Sequence, residues 1–134
     1  MSNLEQLQLN IALMADPEPL TDAERDVLAQ AAAMIRGTIA IPCTGCRYCV
    51  EENQCPMDIP IPDYFSLYNT QKLYADQGWT PERQVYENIA LRGKGRASDC
   101  VACRQCERVC PQHIEISAFM QKVAQAMESG QSVD

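Results

Sequence analysis

Long hydrophobic runs and basic residues are both scarce in this sequence. No stretch of its 134 residues approaches the roughly 18 consecutive apolar residues of a membrane-spanning helix, so none is predicted and no membrane is expected as a partner. The opening segment Met1–Glu5 lacks the basic start and apolar core of a secretory signal, and we therefore expect a cytoplasmic protein. Lysine and arginine together number 11 against 18 acidic residues, which gives a formal net charge of −7. Since a phosphate-binding surface needs a basic excess, nucleic acid is not an expected partner.

Histidine and strand-like patterns are also scarce. His113 is the only histidine, and because no orienting group is visible for it, we expect a structural role. No segment alternates apolar and polar residues, which predicts an all-α fold. The apolar faces of the first two helices are expected to pack, and Gly93–Arg96 is expected to be a flexible surface linker. Gly78 is expected to end the third helix, Thr80 to cap the fourth, and residues 129–134 to fray. The helical patterns cover residues 3–14, 21–36, 62–76, 80–92 and 116–128.

Cysteine, in contrast, is abundant, with eight residues in two runs. The second run, Cys100–Pro111, has the spacing C-x2-C-x2-C-x3-C-P, which is typical of proteins with two iron–sulfur clusters. Three thiolates spaced by two residues on a tight loop can converge on one [4Fe-4S] cube, whereas the fourth is free to ligate a second cube. The first run, Cys43–Pro56, follows the same pattern with a longer final gap, C-x2-C-x2-C-x5-C-P. Within it, Gly45 is expected at a positive φ angle or close against the cube.

The two runs predict two [4Fe-4S] clusters whose fourth ligands are exchanged. The alternative is that each run closes its own cube, which the longer gap before Cys55 favours slightly. Two zinc sites or four disulfides are further alternatives, but zinc frameworks usually show isolated CxxC pairs and disulfides need an oxidising compartment. In the exchanged arrangement cluster 1 takes Cys43, Cys46, Cys49 and Cys110, and cluster 2 takes Cys100, Cys103, Cys106 and Cys55.

An internal repeat extends beyond the cysteines. Met57–Ile59 follows the first Cys-Pro pair, Gln112–Ile114 follows the second, and a predicted helix comes after each. This predicts a pseudo-twofold repeat of cysteine loop plus helix. We expect an N-terminal helical segment at 1–37 and an α-helical dicluster ferredoxin domain at 38–134. Three arginines inside or beside the runs either tune the clusters by their charge or are ordinary solvated surface: Arg47, Arg104 and Arg108.

The residues that flank the cysteines resemble a known family. Ile41–Cys49, followed by Cys55-Pro56, Ile61-Pro62, Phe65 and Leu67–Asn69, looks like the C-terminal iron–sulfur extension of certain bacterial aldo/keto reductases. Cys106–Ile114 is similar to the second half of that extension. The resemblance covers nearly the whole chain. It implies electron transfer through two [4Fe-4S] clusters, as the ferredoxin-like domain of an oxidoreductase of this family.

The opening residues resemble the last segment of the reductase barrel. In that resemblance Gln6 and Asn10 lie near the adenosine end of a nicotinamide cofactor, and a plain packing helix is the alternative. The family's Asp, Tyr, Lys and His catalytic set has no counterpart here, so no catalytic residue is predicted. The implied partners are an aldo/keto reductase barrel domain, on the same or a separate chain, and an external electron carrier. A structural iron–sulfur module that docks on a reductase and a free-standing ferredoxin stay open as alternatives.

Overall fold

The computed structural model describes residues 2–52, 55–74 and 81–128 of the chain. Across these ranges the chain forms helices and loops with no strand, and the predicted all-α class is confirmed. None of the helices found there is long and apolar enough to cross a membrane. The chain divides into two compact units, Met1–Ile35 and Arg36–Asp134.

The first unit consists mainly of two helices, α1 at Leu4–Ala15 and α2 at Asp22–Thr38, of which α2 continues into the second unit. The side chain of Asn3 caps α1 by accepting a hydrogen bond from the backbone N–H of Gln6 at 2.9 Å. This confirms the helix start that the sequence predicts.

A capping box is present at the start of α2, where the sequence predicts a helix. The backbone N–H of Thr21 donates to the Glu24 carboxylate at 2.8 Å, and the N–H of Glu24 donates to the Thr21 hydroxyl at 3.3 Å. The helix does not end before Gly37 as expected but continues to Thr38. A helical glycine loses only about 1 kcal/mol relative to alanine, which does not suffice to stop a helix by itself.

The apolar faces of α1 and α2 are exposed, because neither helix has a buried residue. Within the described residues of the first unit, the expectation that these faces pack is therefore not met. Helical periodicity reveals an apolar stripe but not the surface that covers it. The large apolar side chains of α1 and α2 that are more than half exposed are Leu4, Leu9, Ile11, Leu13, Met14, Val27, Leu28, Met34 and Ile35.

The second unit carries five further helices and one 3-10 turn in its described residues. Pro62 lies in the first turn of α4 and Pro81 directly precedes α5, where a missing N–H costs no hydrogen bond. The bounds of the last helix match the predicted ones. The expected helix end at Gly78, the cap at Thr80 and the tail at 129–134 lie outside the described residues. The elements are α3 (Tyr48–Glu51), α4 (Ile61–Leu73), α5 (Glu82–Leu91), the 3-10 turn (Ala97–Asp99), α6 (Gln105–Arg108) and α7 (Ile116–Glu128).

Aromatic side chains and cysteines form the core of the second unit, where α4, α5 and α7 pack against one another. Tyr64 and Tyr86 are fully buried, and their ring centroids lie 4.4 Å apart. Each such ring removes about 150–250 Å² of surface from water, which makes the pair a major source of stability. Cys49 and Cys106 belong to the buried core. Four more cysteines pack against it partly buried, namely Cys43, Cys55, Cys100 and Cys110.

The segment Gly93–Arg96 packs against the turn that follows Cys55. The N–H of Gly95 donates to the carbonyl of Asp58 at 3.3 Å, and its carbonyl accepts from the hydroxyl of Tyr64 at 3.0 Å. A Cβ at Gly95 would lie 1.9 Å from the carbonyl oxygen of Met57. The expectation of a flexible surface linker is therefore wrong. Glycine is needed here for close backbone approach, and composition alone does not distinguish that role from flexibility.

Candidate metal centres

The two cysteine loops share one backbone conformation. In the first loop Gly45 and Arg47 have φ angles of 68° and 66°, and in the second the equivalent Ala102 and Arg104 have 52° and 58°. Each arginine is the N-cap of a four-residue helix, α3 or α6. The positive φ predicted for Gly45 is confirmed. Since such angles cost a residue with a Cβ roughly 1–2 kcal/mol, their recurrence indicates that the loop shape serves the cysteines.

The turns after the two Cys-Pro pairs also match. The N–H of Asp58 donates to the carbonyl of Cys55 at 2.9 Å, and the N–H of His113 donates to that of Cys110 at 3.0 Å. Asp58 and His113 have φ angles of 48° and 51°. The predicted repeat is thus visible in individual hydrogen bonds. His113 is exposed and occupies a structural position at this turn.

Four cysteines from both runs line one small cavity. Three belong to the first run, and Cys110 comes from the second. The apolar side chains of Ile61, Phe65 and Ile114 close other parts of its wall. Ligand exchange requires Cys110 to lie at the first loop, and the cavity places it there. This supports the exchange, which stays a prediction. The lining cysteines are Cys43, Cys46, Cys49 and Cys110.

Cys100 and Cys103, the first two cysteines of the second run, both lie close enough to Cys106 to influence its pKa. Burial is the largest of the causes that raise the pKa of the Cys106 thiol to about 12. Cys55, the predicted fourth ligand of cluster 2, is half-buried and lines a separate cavity with Val50, Asp58 and Ile59. The other contributions to the Cys106 pKa come from Glu107, Cys100, Cys49 and Cys103.

Each loop combines one buried and one exposed thiol. Cys49 and Cys106 are only 7% and 9% exposed, whereas Cys46 and Cys103 are exposed. Helix α3 contacts α6, which brings the buried ends of the two loops together. Burial, with smaller contributions from neighbouring thiols, raises the pKa of Cys49 to about 11. A cluster in either loop would therefore have a dry side and a side near solvent.

All eight cysteines are free thiols, and all eight lie within the described residues. In this part of the chain no three His, Cys, Asp or Glu side chains converge closely enough to hold a single metal ion. A zinc ion draws its four ligands to about 2.0–2.3 Å from one point, whereas a [4Fe-4S] cube spreads four thiolates over four iron atoms.

Asn69 on α4 fixes the approach to the first loop, a role that the sequence pattern does not reveal. Its side-chain oxygen accepts from the N–H of Ile41, and its amide group donates to the carbonyl of Ile41, both at 2.8 Å. Ile41 is fully buried and lies two residues before Cys43. The only signal in the sequence is an asparagine inside a helix, where this residue is unfavourable unless its side chain has another task.

The second loop is anchored from α5 and α7. The hydroxyl of Tyr86 accepts from the N–H of Ala97 at 2.7 Å and donates to the carboxylate of Glu128. The same carboxylate accepts from the N–H of Ser98 at 3.1 Å. Burial and the bond to Glu128 raise the pKa of Tyr86 well above its usual range, so the hydroxyl keeps its proton. These bonds hold the turn that leads into Cys100.

The three arginines near the runs lie at the surface. Arg47 pairs with Glu51 at 3.0 Å and with Asp63 at 3.4 Å, which offsets much of its charge. The side chain of Arg104 is 73% exposed, and Arg108 is exposed as well. These positions favour solvated surface over strong tuning of a cluster.

Gln6 and Asn10 are exposed on α1. The side-chain carbonyl of Gln6 accepts from the N–H of Ser2 at 2.9 Å and so closes the first turn of the helix. This hydrogen bond is typical of an ordinary helix residue. It favours the alternative in which the segment is a plain helix and binds no cofactor.

An all-helical fold with two matched cysteine loops and eight thiols defines a protein that binds iron–sulfur clusters. The family model described as 4Fe-4S dicluster domain matches residues 42–115, and the chain belongs to this family. Its eight cysteines supply the thiolates for two [4Fe-4S] clusters, so the predicted cofactor is confirmed. No curated protein and no solved structure matches the chain.

Proposed function

We propose that this chain transfers electrons through two [4Fe-4S] clusters. Such clusters, when bound, take up and release electrons at potentials set by nearby charge, hydrogen bonds and solvent access. The observation that carries the proposal is the repeated loop with one buried and one exposed thiol. Cys49 and Cys106 anchor each site in the core, while Cys46 and Cys103 lie at the surface, where a redox partner can approach. Membership of the dicluster family supports the same function.

A reversible redox titration tests electron transfer against a purely structural role. The anaerobically purified chain is titrated in both directions and followed by EPR of the reduced clusters. We expect both clusters to be reduced and reoxidised without loss of iron. Clusters that break down on reduction, or that cannot be reduced between about −700 and +450 mV, would contradict electron transfer and leave the structural alternative.

We further infer that the clusters exchange their fourth ligands, and the shared cavity of Cys43 and Cys110 supports this. Two double variants separate exchange from its alternative. With exchange, Cys43→Ala/Cys110→Ala removes two ligands of the same cluster and leaves about four irons, whereas Cys106→Ala/Cys110→Ala damages both clusters. If each run closes its own cube, the iron contents of the two variants are reversed.

The domain boundary is part of the proposal. We assign the dicluster domain to 38–134 and a separate helical segment to 1–37, and the family match at 42–115 supports this. Limited proteolysis of the holoprotein should cut near residue 37 and leave a brown fragment that keeps its iron. A fragment that starts there but loses both clusters would contradict the assignment.

We propose that the partner is an aldo/keto reductase barrel, on the same or a separate chain, and that the clusters pass electrons between it and an external carrier. The resemblance of Ile41–Cys49 to that family supports the proposal, as do the exposed apolar faces of α1 and α2. Residues 1–35 carry six acidic side chains against the single Arg25, so a complementary face would be apolar with a basic rim. Free thiols and iron–sulfur sites fit the reducing cytoplasm, where we place the protein.

The mass of the native protein tests this partnership. We expect the 134-residue sequence either within a longer chain or in a complex with a separate reductase barrel. A native protein with the mass of the 134-residue chain, and with no binding to such a barrel, would indicate a free-standing ferredoxin instead.

A further inference from the structure

The two matched loops differ in charge directly after their third cysteine. Val50 follows Cys49 in α3, and Glu107 follows Cys106 in α6. Both cysteines are buried, and both short helices begin at an arginine with positive φ. Since the backbones are equivalent, this position introduces a carboxylate beside one predicted cluster and an apolar side chain beside the other.

The carboxylate of Glu107 is held in place by α7. One of its oxygens accepts from the N–H of Ser117 at 2.8 Å and from the hydroxyl of Ser117 at 2.6 Å. The side chain of Glu107 is 20% exposed, and Ser117 is buried. These bonds fix the negative charge in a partly dry position, where its field is screened less than at the surface.

Arg104 compensates this charge only weakly. The Nε atom of Arg104 lies 4.0 Å from the other oxygen of Glu107, and the arginine side chain is 73% exposed. The two bonds from Ser117 favour the ionised form of the carboxylate. Glu107 follows the buried Cys106 directly in α6, so its charge lies beside that residue.

We propose that Glu107 makes the two clusters inequivalent by lowering the reduction potential of the cluster held by Cys100, Cys103 and Cys106. A fixed negative charge opposes the arrival of an electron, and Val50 has no such effect at the other loop. Glu107 does not bind the cluster itself. Its charge acts on the cluster from beside the predicted ligand Cys106. The inference rests on the proposed electron-transfer function but holds for either assignment of the fourth ligands.

Glu107→Gln in the holoprotein tests this inference, with both midpoint potentials measured by EPR-monitored titration. Glutamine keeps the size of the side chain and an oxygen that can accept from Ser117. We expect the lower potential to shift upward while the higher one stays unchanged. Glu115→Gln is the matched control, because it removes the same charge from an exposed side chain. The control should move neither potential by a comparable amount.

Ser117→Ala provides a second variant, in case Glu107→Gln does not retain its iron. It removes one of the two bonds that fix the carboxylate and keeps the backbone N–H, so the charge is held less firmly and the lower potential should shift upward, by less than in Glu107→Gln. The inference is overturned if Glu107→Gln leaves both potentials in place, shifts both equally or shifts only the higher one. It is also overturned if Ser117→Ala does not move the lower potential. If the unmodified chain shows no two reversible clusters, the proposed function fails rather than the role of Glu107.

Discussion

At Gly95 the backbone of one loop lies directly against the turn that follows Cys55. A Cβ at this position would lie 1.9 Å from the carbonyl oxygen of Met57, a backbone atom that cannot move without displacing the turn. We predict that Gly95→Ala destabilises the holoprotein by about 3 kcal/mol and increases the loss of iron. Denaturant unfolding and iron analysis measure both effects.

Gly37→Ala is the control for this prediction. Gly37 lies within α2, and a Cβ there meets nothing within 4 Å. Since alanine is favoured over glycine in a helix by about 1 kcal/mol, this variant should be neutral or more stable. Equal stability of Gly95→Ala and the unmodified chain would contradict the close packing of the loop.

Removal of the Asn69 side chain should affect the first cluster. Asn69→Ala leaves the N–H of the buried Ile41 without its partner, which should destabilise the protein by about 2 kcal/mol. The loosened entry to Cys43 should also make iron loss to a chelator faster. Asn88→Ala, at an exposed position of α5, should change stability by less than about 0.5 kcal/mol. If Asn69→Ala and Asn88→Ala lose iron to the chelator at the same rate, Asn69 does not fix the entry to the first loop.

At the scale of secondary-structure elements, the hydroxyl of Tyr86 links α5 to the 3-10 turn and to α7. Tyr86→Phe keeps the ring but leaves the N–H of Ala97 and one oxygen of Glu128 without this partner. We predict a loss of about 2 kcal/mol in the free energy of unfolding. Tyr74→Phe, on an exposed tyrosine, serves as the control and should have almost no effect. Equal free energies of unfolding for Tyr86→Phe and Tyr74→Phe would show that the hydrogen bonds of Tyr86 do not stabilise the fold.

Local signals determine which elements could be predicted. The cap at Asn3, the box of Thr21 and Glu24 and the bounds of α7 depend on neighbouring residues, so the sequence reveals them. The packing of Gly93–Arg96 and the exposure of α1 depend on distant surfaces, and no local pattern reports those. For that reason the structure corrects the expectations drawn from the sequence at these two places.

At the scale of the whole molecule, the cysteines are part of the core. Two of them are buried and four more pack against the core of the second unit. We predict that chelation of iron under reducing conditions removes much of the helical structure of residues 36–134, because metal binding and folding are coupled. Far-UV circular dichroism before and after chelation measures this loss. A metal-free protein with the same spectrum and the same midpoint of unfolding would show that the fold does not need its clusters.

The composition of the site was predictable, whereas its surroundings were not. The eight cysteines and the two-cluster pattern follow from spacing, since thiolates that share a cube must lie on one tight loop. The roles of Asn69 and Glu107 depend on contacts with Ile41 and Ser117, which lie 28 and 10 residues away along the chain. A sequence pattern that reads only neighbouring positions cannot show such contacts.

Analysis of iron, acid-labile sulfide and zinc in the anaerobically isolated chain tests the central claim most directly. Two [4Fe-4S] clusters predict about eight irons and about eight sulfides per chain, with interacting EPR signals after reduction. About two zinc ions per chain, without sulfide, would contradict the claim and identify the cysteines as zinc ligands.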